Sequence, residues 1–461
     1  MADSMDVINP ATGEVLQTIP CMGAAEIATS LEVATDFQRK WSGVPLADKS
    51  AMINKFADLL KESAEACARI QTAETGKPIS QARGEIAATD ARIRYFCRQT
   101  PAILTPEDAW LADDGVTRER ITREPLGTIA NISAWNYPWF VGINVIIPAL
   151  LTGNTLLYKP SEFSTLTGMK IHELLLACGI PGEAFRLITG DGKTGAVLTG
   201  AIRDGLFFTG SVATGKAIAT AAASRLVPTG LELGGKDPAY CAADAPIAGA
   251  AEALLEGAFY NAGQSCCAVE RIYVHAAIYD DFIAAAGTAC NQWQPGDPLL
   301  DSTNLGPLTR RGQIEVLDAQ ISDATSLGAR LESGGQRTGD RGQFFEPTVL
   351  SNVSNKMSIM RDESFGPVIG IQKVDSDEEA LALMNQTAYG LTAAVYTRDE
   401  ERALRLLAGV RSGTVYWNCC DRVSPRLPWT ARGDSGWGAT LGEEGIRAFT
   451  RSKSWHLRPQ A

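Results

Sequence analysis

The sequence predicts an α/β protein organised around a doubly wound parallel sheet. Short runs rich in β-branched and aromatic residues alternate with segments of helical apolar spacing for most of the chain. Glycines gather where such runs meet a helix start, as in Gly210-Ser-Val-Ala-Thr-Gly-Lys216. That is where open α/β sheets hold ligands. The alternation breaks at Gly235 and then restarts, which marks a second α/β domain.

Residues 47–75 have helix-period apolar positions at Met52, Ile53, Phe56, Leu59 and Leu60, and 79–98 continue as a second helix. Residues 107–122 are polar and turn-rich, an excursion from the core. Strands are expected at 127–133, 155–159, 185–188, 205–208 and 227–232. Between them lie helices at 140–151, 164–178, 194–198 and 215–224. Beyond Gly235 come a helix at 247–264, a strand at 271–275 and a helix at 278–290. The tail, 449–461, is placed to pair with a neighbouring chain. No fixed-period repeat and no low-complexity linker interrupts the series.

At 461 residues the chain is long enough for more than one domain. A hydrophobic fraction of 45% and a charged fraction of 21% are those of an ordinary globular protein. The net charge of −11, without any Lys/Arg-rich run, argues against nucleic acid as a partner. Ten cysteines are too few for a disulfide scaffold, and Met1-Ala-Asp-Ser-Met-Asp6 lacks a basic and then apolar leader. The reading is a reducing, cytoplasmic setting. Residues 125–158 carry no charge and reach the length of about 20 residues that a membrane span needs. Asn131, Asn136, Asn144, Asn154, Pro138 and Pro148 interrupt them, so buried strands and a buried helix fit better than a span.

The chemistry centres on Ser265-Cys266-Cys267, just after Gly263-Gln264, where a turn exposes a thiol. Glu232, between Leu231 and Leu233, is a carboxylate whose pKa apolar neighbours raise, as a base at neutral pH requires. Nucleophile and base together point to covalent catalysis. Each has a plainer reading, a buried packing cysteine and a strand-end salt bridge. Adjacent cysteines point different ways, so one is the reactive thiol and Cys267 packs. Cys419-Cys420 has no metal spacing. The three histidines, His172, His275 and His456, lie far from any glycine-rich turn, so neither a His-based mechanism nor a metal is expected. Gly210 to Lys216 matches a phosphate loop except that Ala217 stands where Ser or Thr would hold magnesium. Lys159-Pro-Ser-Glu162 ends another strand, where Lys and Glu are suited to ribose hydroxyls.

Together these pieces resemble the aldehyde dehydrogenase superfamily. The matching motifs are Trp135-Asn-Tyr-Pro138, Lys159-Pro-Ser-Glu162, Phe208-Thr-Gly-Ser211, Glu232-Leu-Gly-Gly-Lys236, Gly263-Gln-Ser-Cys266 and Glu363-Ser-Phe-Gly-Pro-Val368, in the family's order and spacing. The resemblance runs from Ile8 to Gly445 or beyond and implies NAD-dependent oxidation of an aldehyde to its acid. It implies Cys266 as nucleophile, Asn136 as oxyanion donor with the Cys266 N–H, and Glu232 as the base that activates water. It places the cofactor against Trp135, Lys159, Ser161, Glu162, Gly210, Ser211, Gly215, Leu233, Gly234, Glu363 and Phe365. Glu162 favours NAD over NADP, without making the preference absolute. A cofactor domain (1–103 and 126–234), a catalytic domain (235–434) and a bridging element (104–125 and 435–461) that builds dimers or tetramers are implied as well.

Two departures stand out. Many members have a lysine at the position of Val145 and a glutamate at that of Thr440, forming a proton path from the base. Without them, Glu232 either exchanges protons directly with solvent or moves between positions. The resemblance lines the substrate pocket with Tyr137, Phe140, Val141, Asn144, Ser265 and Cys267, and with an entrance loop of residues 420–429. Trp139, Phe140 and Trp429 favour an apolar or aromatic aldehyde. Arg422 and Arg426 offer the alternative of a semialdehyde held by its distal carboxylate.

Overall fold

The computed structural model describes residues 3–106, 110–339 and 341–459. Four helices open the chain: Ala24–Ser42, Leu46–Glu62, Ala64–Thr75 and Ile79–Leu104. The single helix expected over 47–75 is therefore two. Ser63 (φ −97°, ψ 8°) ends one and starts the next. The apolar stripe runs on through the break, so spacing alone cannot show it. Ile79–Leu104 runs farther than expected, and its buried face includes Ile86, Ile93, Phe96 and Ile103 together with Glu85 and Arg92.

The first sheet has six strands in the order Gly436–Trp437, Thr229–Glu232, Gly205–Thr209, Thr128–Ile132, Thr155–Lys159, Phe185–Leu187. All pairs are parallel except the one made by Gly436–Trp437. Strand order reverses between Thr128–Ile132 and Gly205–Thr209, which opens a crevice at their carboxyl ends. Both faces are covered. Ile129, Leu156 and Phe207 pack into one apolar cluster, and Ala130, Leu157, Leu206 and Phe208 into another. Each fully buried large side chain contributes about 1.5–3 kcal/mol. Helix Pro138–Leu151, from the uncharged stretch, is 14 residues long and almost wholly buried. No helix among the described residues is long and apolar enough to cross a membrane.

The second sheet has seven strands, in the order Arg330–Ser333, Thr348–Ser351, Val368–Val374, Val269–His275, Asp237–Cys241, Thr392–Tyr396, Thr414–Trp417. Only its first pair is antiparallel. The helix expected over 247–264 stops at Phe259 and tightens into a 3-10 turn, Tyr260–Gly263. Asn261 and Ala262 there adopt φ 54°, which ends helical spacing whatever the side chains prefer. Helices Gly192–Ala201 and Val212–Ala223 start earlier than expected, capped by Asp191 and Ser211. The C-terminal segment divides. Gly436–Trp437 edges the first sheet, while Thr450–Leu457 pairs with Arg118–Pro125 of its own chain, beside Trp110–Leu111.

One crossing brings the sheets together. Thr229–Glu232 ends in the first, and Leu233-Gly-Gly-Lys236 carries the chain into Asp237–Cys241 of the second. Asp237–Cys241 and Val269–His275 are parallel neighbours. The segments preceding them, bearing Glu232 and Cys266, therefore arrive side by side.

Candidate active site

Cys266 is partly exposed and lines a cavity of about 1010 Å³ at the crevice of the first sheet. Its turn is held from several sides. Gly263 has φ +69°, and a Cβ there would meet the Gly366 carbonyl oxygen at 2.2 Å. Gln264 Oε1 accepts from the Thr309 N–H at 2.8 Å. Asn261 Nδ2 donates to both the Gln264 and the Asn136 carbonyl oxygens, each at 3.1 Å. Asn136 lines the same cavity. It precedes helix Pro138–Leu151, whose Trp139 and Phe140 N–H groups donate to Glu85 Oε1 at 3.0 and 3.3 Å. Lys77 pairs with Glu85 in the core, both side chains 1% exposed, and Gln71 Nε2 adds a fourth donor. The charge of Glu85 thus fixes the first turn of the helix that follows Asn136.

Glu232 lines the cavity too. Thr440 Oγ1 donates to its Oε1, and Thr209 Oγ1 lies 3.5 Å from its Oε2. Burial raises its pKa; the Thr440 hydrogen bond, the Arg92 charge and Thr209 pull the other way. Thr440 therefore holds the Glu232 carboxylate from the position where the resemblance marks a missing glutamate. Val145 is buried in an apolar cluster.

The rest of the cavity is shaped for a long, polar ligand. Trp135, Lys159, Ser161, Glu162, Gly210, Ser211, Leu233, Gly234, Glu363 and Phe365 all line it. So do residues in the first turns of helices Gly192–Ala201 and Val212–Ala223, the helix ends whose dipole favours phosphate. Gly234 has no room for a side chain, since a Cβ would lie 2.2 Å from Glu363 Oε1. Glu363 accepts from the Gly235 N–H at 3.1 Å, and burial with the adjacent Glu270 charge pushes it up to about 8. Glu270 accepts the Ser364 and Phe365 N–H groups and pairs with Lys236 at 2.6 Å, so a buried ion pair clamps the turn that presents Glu363 and Phe365. Trp135 meets Phe163 and Phe365 edge-on. The cavity thus fits a dinucleotide. Gly215 does not line it. A Cβ there would meet Leu233 Cδ2 at 2.4 Å, so that glycine admits Leu233 instead. Lys216 of the phosphate-loop pattern is exposed and pairs with Asp434.

The residues expected around the substrate lie outside that cavity's lining. Tyr137 and Phe140 stack at 5.9 Å, with Lys77 Nζ 3.7 Å from the Tyr137 ring centroid. Asn144 accepts from Arg92 at 3.1 Å. Cys267 is buried, donates to Asp421 Oδ1 at 3.0 Å and lies 3.4 Å from Ser265 Oγ. Its hydrogen bond with Cys266, together with burial, holds its thiol well above the usual range, so it stays protonated. Trp429 is buried and pairs across strands with Thr440, the residue whose hydroxyl donates to Glu232. Arg422 and Arg426 are exposed, and Arg422 Nη1 reaches only the Asp421 carbonyl oxygen. Solvent exposure makes them poor carboxylate clamps.

The model of the aldehyde dehydrogenase family matches residues 1–455. The chain belongs to that family. It is 33% identical over 447 residues to a succinate-semialdehyde dehydrogenase [NADP(+)] of Deinococcus radiodurans, covering 97% of this chain and 93% of that one. Two solved structures are similar throughout. Lactaldehyde dehydrogenase from Escherichia coli has a TM-score of 0.95 or above (0.96), 30% identity and coverage of 100% and 96%. A point mutant of betaine aldehyde dehydrogenase from Staphylococcus aureus, in complex with NAD+, has a TM-score of 0.95, 31% identity and coverage of 100% and 95%. The protein is an aldehyde dehydrogenase, an oxidoreductase acting on aldehydes. Sequence reasoning missed Asn261, Glu85, Lys77, Glu270, Asp421 and Arg92. For Glu85 and Arg92 a signal existed: each is a charge on the apolar stripe of its helix.

Proposed function

We propose that this aldehyde dehydrogenase oxidises its substrate hydrolytically, with NAD, through a thioester on Cys266. The observation that carries this is that Cys266, Asn136 and Glu232 face one cavity continuous with a dinucleotide-sized crevice. The Cys266 thiolate adds to the aldehyde carbonyl carbon, and the oxyanion of the resulting thiohemiacetal accepts hydrogen bonds from the Asn136 amide and the Cys266 N–H. The bound nicotinamide supplies the hydride acceptor. Loss of hydride leaves a thioester on Cys266. Glu232 then takes a proton from water as the hydroxyl adds to the thioester carbon, and Cys266 departs as thiolate from the carboxylic acid. Glu162 favours NAD, because its carboxylate accepts ribose hydroxyls and repels a 2′-phosphate.

The stacked Tyr137 and Phe140 rings suit an apolar or aromatic chain next to the carbonyl. Homodimers or homotetramers are supported by exposed apolar residues at sheet edges, namely Trp110, Leu111, Val415 and Trp417. A cytoplasmic setting is supported by ten free cysteines.

The deciding experiment is stopped-flow NADH formation with Glu232→Gln. We expect a burst near one NADH per site, followed by steady-state turnover lower by about 10²–10⁴-fold. Full steady-state turnover in that variant would falsify the role of Glu232.

A further inference from the structure

Helix Ile79–Leu104 carries a positive charge where its packing pattern calls for an apolar residue. Arg92 lies on the buried face with Thr89, Ile93 and Phe96 and is 4% exposed. Its Nη1 donates to Asn144 Oδ1 at 3.1 Å, and its guanidinium carbon lies 3.8 Å from the Phe140 ring centroid. Neither neighbour is charged, and among the described residues no carboxylate lies within ion-pair distance of it. Buried Arg271 shows what a structural arginine looks like here. Its Nε, Nη1 and Nη2 all donate, to Lys236, Tyr273, Leu383 and Met384. Arg92 uses one nitrogen of three. Its Nε and Nη2 have no protein partner, yet they are not among the polar atoms sealed away from solvent. These two form the side edge of the fork, which takes a carboxylate with two parallel hydrogen bonds.

The position of this free edge has a meaning for the reaction. Phe140 and Asn144 stand one turn apart on helix Pro138–Leu151, about 6 Å along its axis. That helix begins just after Asn136, the oxyanion donor. The Arg92 charge also acts on Glu232, and in return Glu85, Glu232 and Cys267 partly oppose the burial that lowers Arg92 to about 10. Arg92 therefore keeps its charge at neutral pH. On the substrate side, Asp421 is bonded by Cys267 and lies within the field of Lys77, while burial raises its pKa. Arg92 is thus a desolvated cation that makes no direct ion pair, beside the helix that follows Asn136. A buried unpaired charge is costly, and a ligand carboxylate relieves that cost.

We propose that Arg92 anchors a carboxylate at the far end of the substrate, so that the aldehyde this enzyme oxidises is an ω-carboxy aldehyde. The inference rests on the proposed function, in which Cys266 and Asn136 hold the carbonyl. It moves the carboxylate clamp from the exposed Arg422 and Arg426 to the interior.

The test uses the full-length enzyme with NAD and two matched pairs, succinic semialdehyde against butanal and glutaric semialdehyde against pentanal. In the unaltered enzyme we expect kcat/KM for at least one carboxylate-bearing aldehyde to exceed that of its partner tenfold or more. Arg92→Leu should lower that ratio about a hundredfold, mostly through KM, and Arg92→Lys should restore part of it. Should Arg92→Leu fail to fold, as judged by its thermal melt, the unaltered enzyme and Arg92→Lys still decide. A ratio near or below one in the unaltered enzyme overturns the proposal, as does a ratio unchanged in both variants. A preference for a cationic aldehyde such as 4-aminobutanal overturns it equally and points to Asp421. Turnover of butanal without carboxylate preference removes the anchor alone. Absence of NADH with every aldehyde removes the proposed function, and the anchor with it.

Discussion

The two sides of Cys266 are built by different means. On the cofactor side, strand ends, helix starts and glycines do the shaping: Gly210, Gly234 and two helix N-termini surround the cavity, and the Gly235 N–H fixes Glu363. On the other side, side chains from segments distant in sequence meet: Lys77 over Tyr137, Arg92 over Phe140, Cys267 on Asp421. Backbone-built sites tolerate change in few side chains but none in chain path. Side-chain-built sites keep the chain path and change their chemistry by substitution. The difference lets the substrate side change by substitution while the cofactor side stays as it is.

Four substitutions probe this contrast. The largest effect is expected from Lys77→Met, which leaves Glu85 buried without its partner and should cost about 3–5 kcal/mol of stability. Denaturant unfolding measures it, and a loss below 1 kcal/mol would show that Glu85 needs no counter-charge. Next, Asn136→Ala should lower kcat by about 10²–10³-fold, as expected for an oxyanion donor, while the Kd for NAD stays within threefold. An equal loss in both would place Asn136 on the cofactor side instead. Gly234→Ala should do the reverse, because its Cβ would collide with the Glu363 carboxylate. NAD should bind roughly tenfold or more weakly, about 1.4 kcal/mol, as isothermal titration would show. The smallest effect belongs to Thr440→Val. The Thr440 hydroxyl favours ionised Glu232, so its loss raises a pKa that burial has already raised. Glu232 works as a base only when ionised, so the acid limb of the deacylation pH–rate profile should move to higher pH, by up to about one unit. A shift to lower pH would mean that Thr440 holds the base in its protonated form.

The same contrast explains what the sequence revealed. The first sheet, Glu232 at a strand end and the glycines around it follow from apolar runs and turn residues that are local in sequence. Spacing does not show the break at Ser63 because the apolar stripe continues across it, and sequence marks Thr440 as a missing glutamate while the fold makes it a hydroxyl bonded to Glu232. Arg92, Lys77 and Asp421 escaped for another reason. Their meaning depends on pairing helices and loops far apart in the chain, and no local pattern encodes which side chains will face each other.

The Asn261 side chain ties two loops together. One amide group donates to the carbonyl of Gln264, two residues before Cys266, and to the carbonyl of Asn136. It works as a gauge block between two loops that belong to different sheets. The spacing between the Cys266 turn and Asn136 is therefore set by one side chain that touches both, so a change at Asn261 alters the two loops together.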